Sequence, residues 1–437
     1  MRARTAVVAL SALTAVMALP YALAGPNFIL DDWYALRNAM FDGAFAAGGH
    51  NQALARPGAW VVYGLTFGLI GNHPLPIYLL QTLVNGATAV ALFFVVRRFF
   101  PARAASATAA VWVVAPTHTS LDNWASASNI SLALLAALLG VLALGRDRWN
   151  AQAALWFAVS ALCYEATMPV AAVAVLAVPL LARRRPRTTD VAVPAIALGS
   201  CGAWIVTHWH PDKHVGGWAD LRQFLPAHFG WGLVQWRPYS TALAAATVVA
   251  LAVMLARRLF PSWRTPVGES EAMVLAGLAV MVLGVVPFLR YFYAPLGAGD
   301  RVNVVSSVGG ALVLTGLGWI ALSAWRIGAA VLGVVIACGA VATNVHRDRL
   351  YARTGDDVLR TMRELDRAIP DPDGPIALGP HPLFTENIGG LLDESNVDGA
   401  LQVHRRREGL RGYVTQNRTE WLRAPAELRF DQVRFLR

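Results

Sequence analysis

Long apolar runs alternate with short polar segments along this chain from residue 5 to residue 345. A helix needs about 20 predominantly apolar residues to cross the hydrocarbon core of a bilayer, which is about 30 Å thick. The pattern predicts eleven spanning helices, at 5–24, 75–96, 104–116, 129–145, 151–166, 168–182, 190–207, 240–256, 271–289, 303–323 and 327–345. We therefore expect an all-α polytopic membrane protein.

Composition supports this class and marks a change near residue 345. The chain is 56% apolar and 15% charged, which is too hydrophobic for an ordinary soluble domain. Residues 346–437 differ, because they carry 15 Arg and 15 Asp or Glu. Helical periodicity at 356–369 and short apolar stretches at 376–378 and 400–403 predict one helix and two strands there. We expect a transmembrane domain at 1–345 and a small α/β extracytoplasmic region at 346–437.

The net charge of +10 raises the question of a nucleic-acid partner, and the position of the basic residues excludes it. Most Arg residues of the membrane part lie in short loops that alternate along the chain, which is the positive-inside pattern. These loops contain Arg2 and Arg4, Arg97, Arg98 and Arg103, Arg146 and Arg148, Arg183, Arg184, Arg185 and Arg187, Arg257, Arg258 and Arg264, and Arg326. This pattern predicts a plasma (inner) membrane protein with its N-terminus in the cytoplasm and its C-terminus outside.

The segment 57–71 is apolar but too short for a span, so we interpret it as a re-entrant or interfacial helix. It falls in a first outer loop that runs from 25 to 74 and that we expect to contain interfacial helices. The first apolar run also resembles a signal peptide with a cleavage site near Ala22-Leu23-Ala24. We favour an uncleaved helix, because ten further spans follow.

Acidic residues concentrate on the predicted outer side. Eight of the twelve in the membrane part lie there, and Asp31-Asp32-Trp33 directly follows the first span. One interpretation is that Asp31 or Asp32 caps an amphipathic helix. The other is that one of these carboxylates is a general base toward an acceptor hydroxyl, with its pKa raised at the membrane interface.

Two further outer segments are candidates for substrate contacts. The loop 116–124 holds His118, Asp122 and Trp124, which are either ordinary outer-loop residues or a polar and aromatic rim for a sugar. Glu165 interrupts an apolar stretch just before Pro169, where a structural role at a helix end is the alternative.

A late arginine is the candidate for phosphate binding. Arg301 could hold a lipid phosphate in a bidentate contact, or pair with Asp300 or with lipid headgroups. A cluster of His208, His210, Asp212 and His214 suggests metal at first, but its spacing matches no common site, and we predict no metal site there. The sequence indicates no certain cofactor, and a divalent cation stays a candidate.

The order of these motifs resembles the GT-C glycosyltransferases. The resemblance covers about residues 5–325 and is carried by Asp31-Asp32-Trp33, by Arg56-Pro57 before a short helix, by Pro116-Thr-His-Thr with Trp124, by Tyr164-Glu165-Ala-Thr-Met-Pro169 and by Asp300-Arg301. The most similar branch is the O-mannosyltransferase-like one, with its tetratricopeptide-bearing members and bacterial relatives.

The resemblance implies an enzyme that transfers a sugar from a polyprenyl-phosphate donor to a glycan, lipid or protein acceptor on the outer face. It implies that Asp31 or Asp32 is the catalytic base and that Arg301, with Arg56, holds the donor phosphate. Trp33, His118, Asp122, Trp124 and Glu165 are then candidates for substrate binding. Membrane lipids are expected partners and nucleic acid is not.

Two positions depart from the pattern of this superfamily. Tyr164 stands where a Lys before Glu165 is expected, and Gln81 stands where related sequences often have His. Two other functions are alternatives: a flippase or transporter of lipid-linked glycans, and a non-catalytic membrane protein of envelope assembly. A transporter is expected to show charged or broken helices near the middle of the bilayer and internal pseudosymmetry.

Overall fold

The chain folds into a bundle of helices with a small α/β unit at its C-terminal end, as a computed structural model shows. The structure describes residues 3–146, 150–181, 188–208, 221–230, 233–234, 237–259, 268–289, 297–379, 382–385 and 388–432. The predicted His208–His214 cluster lies mostly outside these residues.

The helices of the membrane part follow the apolar runs. They are α1 (Ala3–Ala24), α2 (Asp31–Phe41), α3 (Gly49–Ala55), α4 (Pro57–Tyr63), α5 (Pro74–Arg97), α6 (Ala102–Val114), α7 (Ser120–Asn123), α8 (Ser128–Ala143), α9 (Ala151–Cys163), α10 (Met168–Leu181), α11 (Thr188–His208), α12 (Phe224–Phe229), α13 (Arg237–Leu259), α14 (Glu269–Val285) and α15 (Ser306–Ala324). A π-helix at Gly64–Ile70 continues α4. The 43-residue α16 (Arg326–Ala368) then leads to the C-terminal unit.

All eleven predicted spans fall on helices. Within the described part of the chain, seven helices are long and apolar enough to cross a membrane, and several of the others are shorter apolar helices. One of the shorter apolar stretches is Pro57–Ile70 in the first loop, so this segment is helical and short as predicted. The predicted all-α polytopic fold is therefore confirmed.

The loops gather at the two ends of the bundle in the two groups that the charge pattern distinguishes. At one end, the Asp32 carboxylate contacts Ser126, Arg56 contacts Glu165, and Thr119 contacts Asp300. At the other end, the Arg98 guanidinium donates to the carbonyl oxygens of Val141 and Leu144 at 2.9 and 2.7 Å. We call the first end the outer end and the second the inner end.

The C-terminal unit contains strands β1 (Ile376–Gly379), β2 (Leu383–Thr385), β3 (Ile388–Leu391), β4 (Gly412–Val414) and β5 (Arg429–Asp431), with helices α17 (Glu394–Arg405) and α18 (Arg418–Arg423). Strand β1 lies between β4 and β5 in a parallel sheet, and β2 pairs with β3 in an antiparallel ladder. The predicted small α/β unit is present, and the strand predicted at 376–378 is β1.

The strand predicted at 400–403 is wrong, because these residues lie in α17. The Asp393 carboxylate caps this helix by accepting from the Asn396 backbone N–H at 3.0 Å. Val397, Ala400 and Leu401 are buried at helical spacing on one face. A four-residue apolar stretch does not distinguish a strand from part of a helix, and here the capping residue decides.

The C-terminal unit shares its hydrophobic core with the first outer loop. Trp33 and Leu36 of α2 pack in one cluster with Val397 and Leu401 of α17 and with Val358 of α16. Polar contacts also join the first outer loop to the C-terminal unit, since Arg37 Nε donates to Gln402 Oε1 at 3.0 Å and the Leu30 N–H donates to the Gly390 carbonyl in β3 at 3.1 Å. The helix that begins with Asp31 is therefore held in place by the C-terminal unit.

Gly399 permits the close approach of α17 to α2. A Cβ atom at this position would lie 2.6 Å from the carbonyl carbon and oxygen of Trp33. We expect Gly399→Ala to lower the free energy of unfolding by about 1–3 kcal/mol, because backbone atoms cannot move aside as a side chain does. Thermal unfolding in detergent measures this effect.

Gly333 provides the control for that substitution. It lies in α16 with no heavy atom within 4 Å of an added Cβ, so Gly333→Ala should leave stability unchanged or slightly higher. Equal melting temperatures for the two alanine variants would contradict the tight packing of α17 on α2.

Candidate active site

Asp32 is an anchor for the start of α2. Its side chain is fully buried. One carboxylate oxygen accepts from the Ser126 backbone N–H at 2.8 Å and from the Ser126 hydroxyl at 2.5 Å, and the other accepts from the Ile29 N–H at 3.1 Å. These donors occupy both oxygens and fix the first outer loop to the turn that follows Trp124.

Burial raises the pKa of the Asp32 carboxyl from 3.8 to about 7, although the hydrogen bonds from Ser126 and Ile29 lower it. The folded protein therefore holds this proton more tightly than the unfolded chain does. As a result, the free energy of unfolding falls as pH rises from about 4 to about 7. One pKa unit corresponds to about 1.4 kcal/mol, so titration of Asp32 lowers the free energy of unfolding of the wild type by up to about 1.4 kcal/mol per pH unit. Asp32→Asn should remove this part of the pH dependence.

The measurement is the unfolding of the wild type and Asp32→Asn in the same detergent at several pH values across this window. We expect a flatter dependence in the variant. A variant that loses stability with rising pH as steeply as the wild type would show that Asp32 does not titrate in this range.

Asp31 differs from its neighbour in being exposed. Its only hydrogen bond within the described part of the chain is a long one of 3.4 Å, donated by the Asn396 amide of α17 to Oδ1. One oxygen of this carboxylate is therefore available to an outside molecule. The two adjacent acids, which the sequence did not distinguish, have different environments.

Arg301 lies at the same end of the molecule, in a short helical segment, Gly297–Asn303, before α15. Its guanidinium carbon is 4.6 Å from the centre of the Trp124 ring, within the range of a cation–π contact. The guanidinium is half-buried and makes no ion pair with a carboxylate within the described residues. Trp124 thus orients Arg301, and no carboxylate of the described part of the chain neutralises its charge.

Asp300 does not pair with Arg301. This buried carboxylate accepts from the Thr119 hydroxyl at 2.7 Å and from the Ser120 N–H at 2.9 Å, and it lies 3.7 Å from Nη1 of Arg347. Burial raises the pKa of Asp300, while Arg347 and the two hydrogen-bonding residues lower it. Asp300 therefore fixes the segment with Arg301 to the 116–124 loop.

Arg56 and Glu165 form a bidentate ion pair, in which Arg56 Nε donates to Glu165 Oε2 at 2.7 Å and Nη2 contacts Oε1. The Arg56 guanidinium also lies 5.4 Å from the centre of the Tyr164 ring. The cation opposite Glu165 thus comes from the first outer loop rather than from position 164. The expected roles of Arg56 in phosphate binding and of Glu165 in substrate binding remain predictions.

The charges at this end act on one common point, the Tyr63 hydroxyl. Burial raises the pKa of Tyr63, Asp31 raises it further, and Arg301 and Arg56 lower it. The hydroxyl itself donates to the Ser126 carbonyl at 2.8 Å. Asp31, Arg301 and Arg56, which are far apart in the sequence, therefore lie around the same part of the outer end.

Three other predicted site residues are placed deeper in the protein. Trp33 is buried in the core shared with the C-terminal unit. His118 stacks on Trp112 with ring centres 4.6 Å apart, and burial lowers its pKa to about 3. Asp122 accepts from the Asn85 amide at 2.7 Å, and burial raises its pKa to about 8. Their roles in substrate binding stay predictions.

His118 and Asp122 line a small cavity of about 30 Å³ together with Asn85, Asn123 and Asp348. This volume is enough for one or two water molecules. Asp348 accepts from the Asn123 amide at 2.7 Å. Residues of both the 116–124 loop and α16 therefore line this cavity.

Sequence reasoning missed Ser126, Tyr63, Arg347 and Asp348. The last two follow the apolar part of α16, so their charges were assigned to the C-terminal region. A signal was present, because they continue the helical periodicity of that span. Ser126 and Tyr63 carry no sequence signal, since hydroxyl residues are common at such positions.

Within the described residues, no group of three or more His, Cys, Asp or Glu side chains could hold a metal ion. His208 is the member of the 208–214 cluster that lies within the described residues, and its ring stacks on that of Trp204 with ring centres 4.0 Å apart.

A protein-family model matches part of this chain. The model described as dolichyl-phosphate-mannose-protein mannosyltransferase matches residues 57–209. This region includes the short helix after Arg56, the 116–124 loop and Glu165. It does not include Asp31, Asp32 or Arg301. A search of curated proteins finds no match.

Several solved structures are similar to this chain. ArnT from Cupriavidus metallidurans bound to undecaprenyl phosphate is 16% identical, with 97% of this chain and 90% of that chain covered and a TM-score of 0.44. The Archaeoglobus fulgidus oligosaccharyltransferase tethered to an acceptor peptide is 10% identical, with 95% and 64% covered and a TM-score of 0.40.

The protein is thus a multi-pass membrane protein that contains a region similar to membrane glycosyltransferases. More particularly, residues 57–209 are similar to the dolichyl-phosphate-mannose-protein mannosyltransferases. This match confirms the resemblance inferred from the motifs.

Proposed function

We propose that this protein transfers a sugar from a polyprenyl-phosphate donor to a hydroxyl of a glycan, lipid or protein acceptor at the outer end, on the extracytoplasmic side of the plasma (inner) membrane. The observation that supports this best is the placement of an exposed carboxylate, Asp31, and of the Arg301 guanidinium, which makes no ion pair within the described residues, around Tyr63 at the same end. Transfer of this kind needs a base for the acceptor and a cation for the leaving phosphate.

In the proposed reaction, Asp31 takes the proton of the acceptor hydroxyl as the acceptor oxygen attacks the anomeric carbon of the sugar. A new carbon–oxygen bond forms, and the bond between the anomeric carbon and the phosphate oxygen breaks. The electron pair leaves with the polyprenyl phosphate. Arg301 stabilises the negative charge that develops on this phosphate.

We assign the base to Asp31 rather than Asp32 on geometry. The raised pKa of Asp32 suits a general base, since the most effective base has a pKa near the working pH. However, both of its oxygens accept hydrogen bonds from the protein, and its side chain is fully buried. An acceptor hydroxyl must come within hydrogen-bond distance of the base, and only Asp31 permits this contact.

Arg56 and Glu165 have a supporting role in this proposal. Their ion pair joins the first outer loop to the turn between α9 and α10. Breaking a partly buried pair leaves an uncompensated charge, so its loss should displace the loop. We therefore expect Arg301 to be the main phosphate contact and Trp124 to hold its guanidinium.

Transport of a lipid-linked glycan receives less support. The cavity of about 30 Å³ beside Asp122 and Asp348 has room for one or two water molecules and is too small for a sugar. A transporter also requires a route across the bilayer, which the charged groups at the outer end do not provide.

Arg301→Gln tests the phosphate contact. A hydrogen bond to a charged group contributes about 1.5–3 kcal/mol, so we expect about 10- to 100-fold weaker binding of polyprenyl phosphate. Stability should be unchanged, because Arg301 takes part in no buried ion pair among the residues that the structure describes. Binding can be measured by displacement of a fluorescent polyprenyl phosphate from the protein in nanodiscs.

The matched control is Arg418→Gln, which removes an exposed arginine of the C-terminal unit. It should leave binding of polyprenyl phosphate unchanged. If both variants bind as tightly as the wild type, Arg301 does not contact the phosphate.

A further inference from the structure

A second cavity lies at the inner end, far from the proposed active site. Its volume is about 400 Å³, and Arg103, Arg326, Glu269, Trp319 and Met273 are among the residues that line it. This size lies within the range of about 300–1,000 Å³ that is typical of sites for small ligands. Neither the family match nor the transfer reaction assigns it a role.

The charged residues that line this cavity form no ion pairs in the described part of the chain. Arg103 lies over Trp319, with its guanidinium carbon 5.3 Å from the ring centre. In the described part of the chain, Arg103, Arg326 and Glu269 make no ion pair with one another or with other residues. Two cations and one anion thus line the same cavity, and neither arginine forms an ion pair with Glu269.

The position of the cavity favours a membrane lipid as the occupant. It lies between the beginnings of α6, α14 and α16 and the end of α15, at the end of the bundle that loop charge predicts to be cytoplasmic. Basic pockets between transmembrane helices at this face bind lipid headgroups. Met273 and Trp319 supply apolar surface for the part of the lipid next to the headgroup, which a soluble anion does not need.

We propose that this cavity binds a phospholipid whose headgroup carries both a phosphate and a primary ammonium group, as in phosphatidylethanolamine. Arg103 and Arg326 bind the phosphate, and Glu269 accepts from the ammonium group. Glu269 is essential to this choice, because a purely anionic headgroup would place negative charge beside this carboxylate. The bound lipid would join α6, α14 and α15 at their inner ends.

The test is native mass spectrometry of the full-length protein released from nanodiscs of equal parts phosphatidylethanolamine, phosphatidylglycerol and phosphatidylcholine. We expect the wild type to retain phosphatidylethanolamine about tenfold more than the other two, which corresponds to one additional charged contact. The double variant Arg103→Gln/Arg326→Gln should lose this retention.

Glu269→Gln tests the ammonium contact separately. It should keep phosphate binding but lose the preference for phosphatidylethanolamine over phosphatidylglycerol. Arg97→Gln is the control, because Arg97 lies at the same end, with its guanidinium over Phe93 and outside the cavity. This variant should match the wild type, and thermal unfolding of all variants shows that they are folded.

Three results would overturn the proposal. The first is equal retention of the three lipids by the wild type. The second is a preference for phosphatidylethanolamine that survives both Glu269→Gln and the double arginine variant. The third is displacement of the lipid by free phosphoethanolamine at equal concentration, which would show that the site recognises a soluble ligand.

Discussion

Asp31→Asn should lower the turnover of the sugar donor by about 10²- to 10⁴-fold, which is the usual contribution of a general base. Asparagine has nearly the same shape as aspartate but cannot take a proton at neutral pH. Since Asp31 is exposed and makes only one long hydrogen bond in the described structure, the variant should fold as the wild type does. The measurement is release of polyprenyl phosphate, with the melting temperature recorded in parallel.

The control is Asp42→Asn, at the other end of α2. Asp42 is exposed and its carboxylate lies 2.5 Å from Arg37 Nη1, so its loss should leave turnover unchanged. Full activity of Asp31→Asn would contradict the assigned base. If Asp32→Asn instead abolished turnover without loss of stability, the base would be Asp32.

Asp300→Ala should destabilise the protein by about 3–5 kcal/mol, which is the usual effect of removing one partner from a buried ion pair. The substitution removes the carboxylate that lies 3.7 Å from the buried guanidinium of Arg347. It also removes the acceptor for the Thr119 hydroxyl and the Ser120 N–H. A large fall in the melting temperature, with a low yield of folded protein, is the expected observation.

The adjacent variant Arg301→Gln is the control, because it should leave stability unchanged. A double variant, Asp300→Ala/Arg347→Met, should recover part of the lost stability, since it removes both buried charges together. If Asp300→Ala melts at the temperature of the wild type, Asp300 does not hold the outer loops together.

The fold of the membrane part could be predicted closely because the bilayer imposes the length of each apolar run. The span predicted at 75–96, for example, is the helix Pro74–Arg97. The prediction was less successful in the C-terminal unit, where no such constraint applies. Residues 327–345 and 356–369 were predicted as separate helices and are parts of one helix of 43 residues.

The candidate site could be predicted in part. The outer loops with Asp31, Trp124 and Arg301 were identified from their charges and aromatic residues. The sequence does not show which charged side chains form ion pairs. Arg56 and Glu165 are 109 residues apart, and Asp300 and Arg347 are brought together only by the packing of α16. The difference between Asp31 and Asp32 also depends on the fold, since one faces Ser126 and the other faces solvent.

Donor turnover by the purified protein tests the central claim most directly. The protein is reconstituted in liposomes and incubated with a panel of polyprenyl-phosphate sugars. Membranes from cells that lack this protein are added as the source of acceptor. We predict release of polyprenyl phosphate from at least one donor, and loss of this release in Asp31→Asn. Folded wild-type protein that releases none from any donor, or equal release by wild type and variant, would contradict the account.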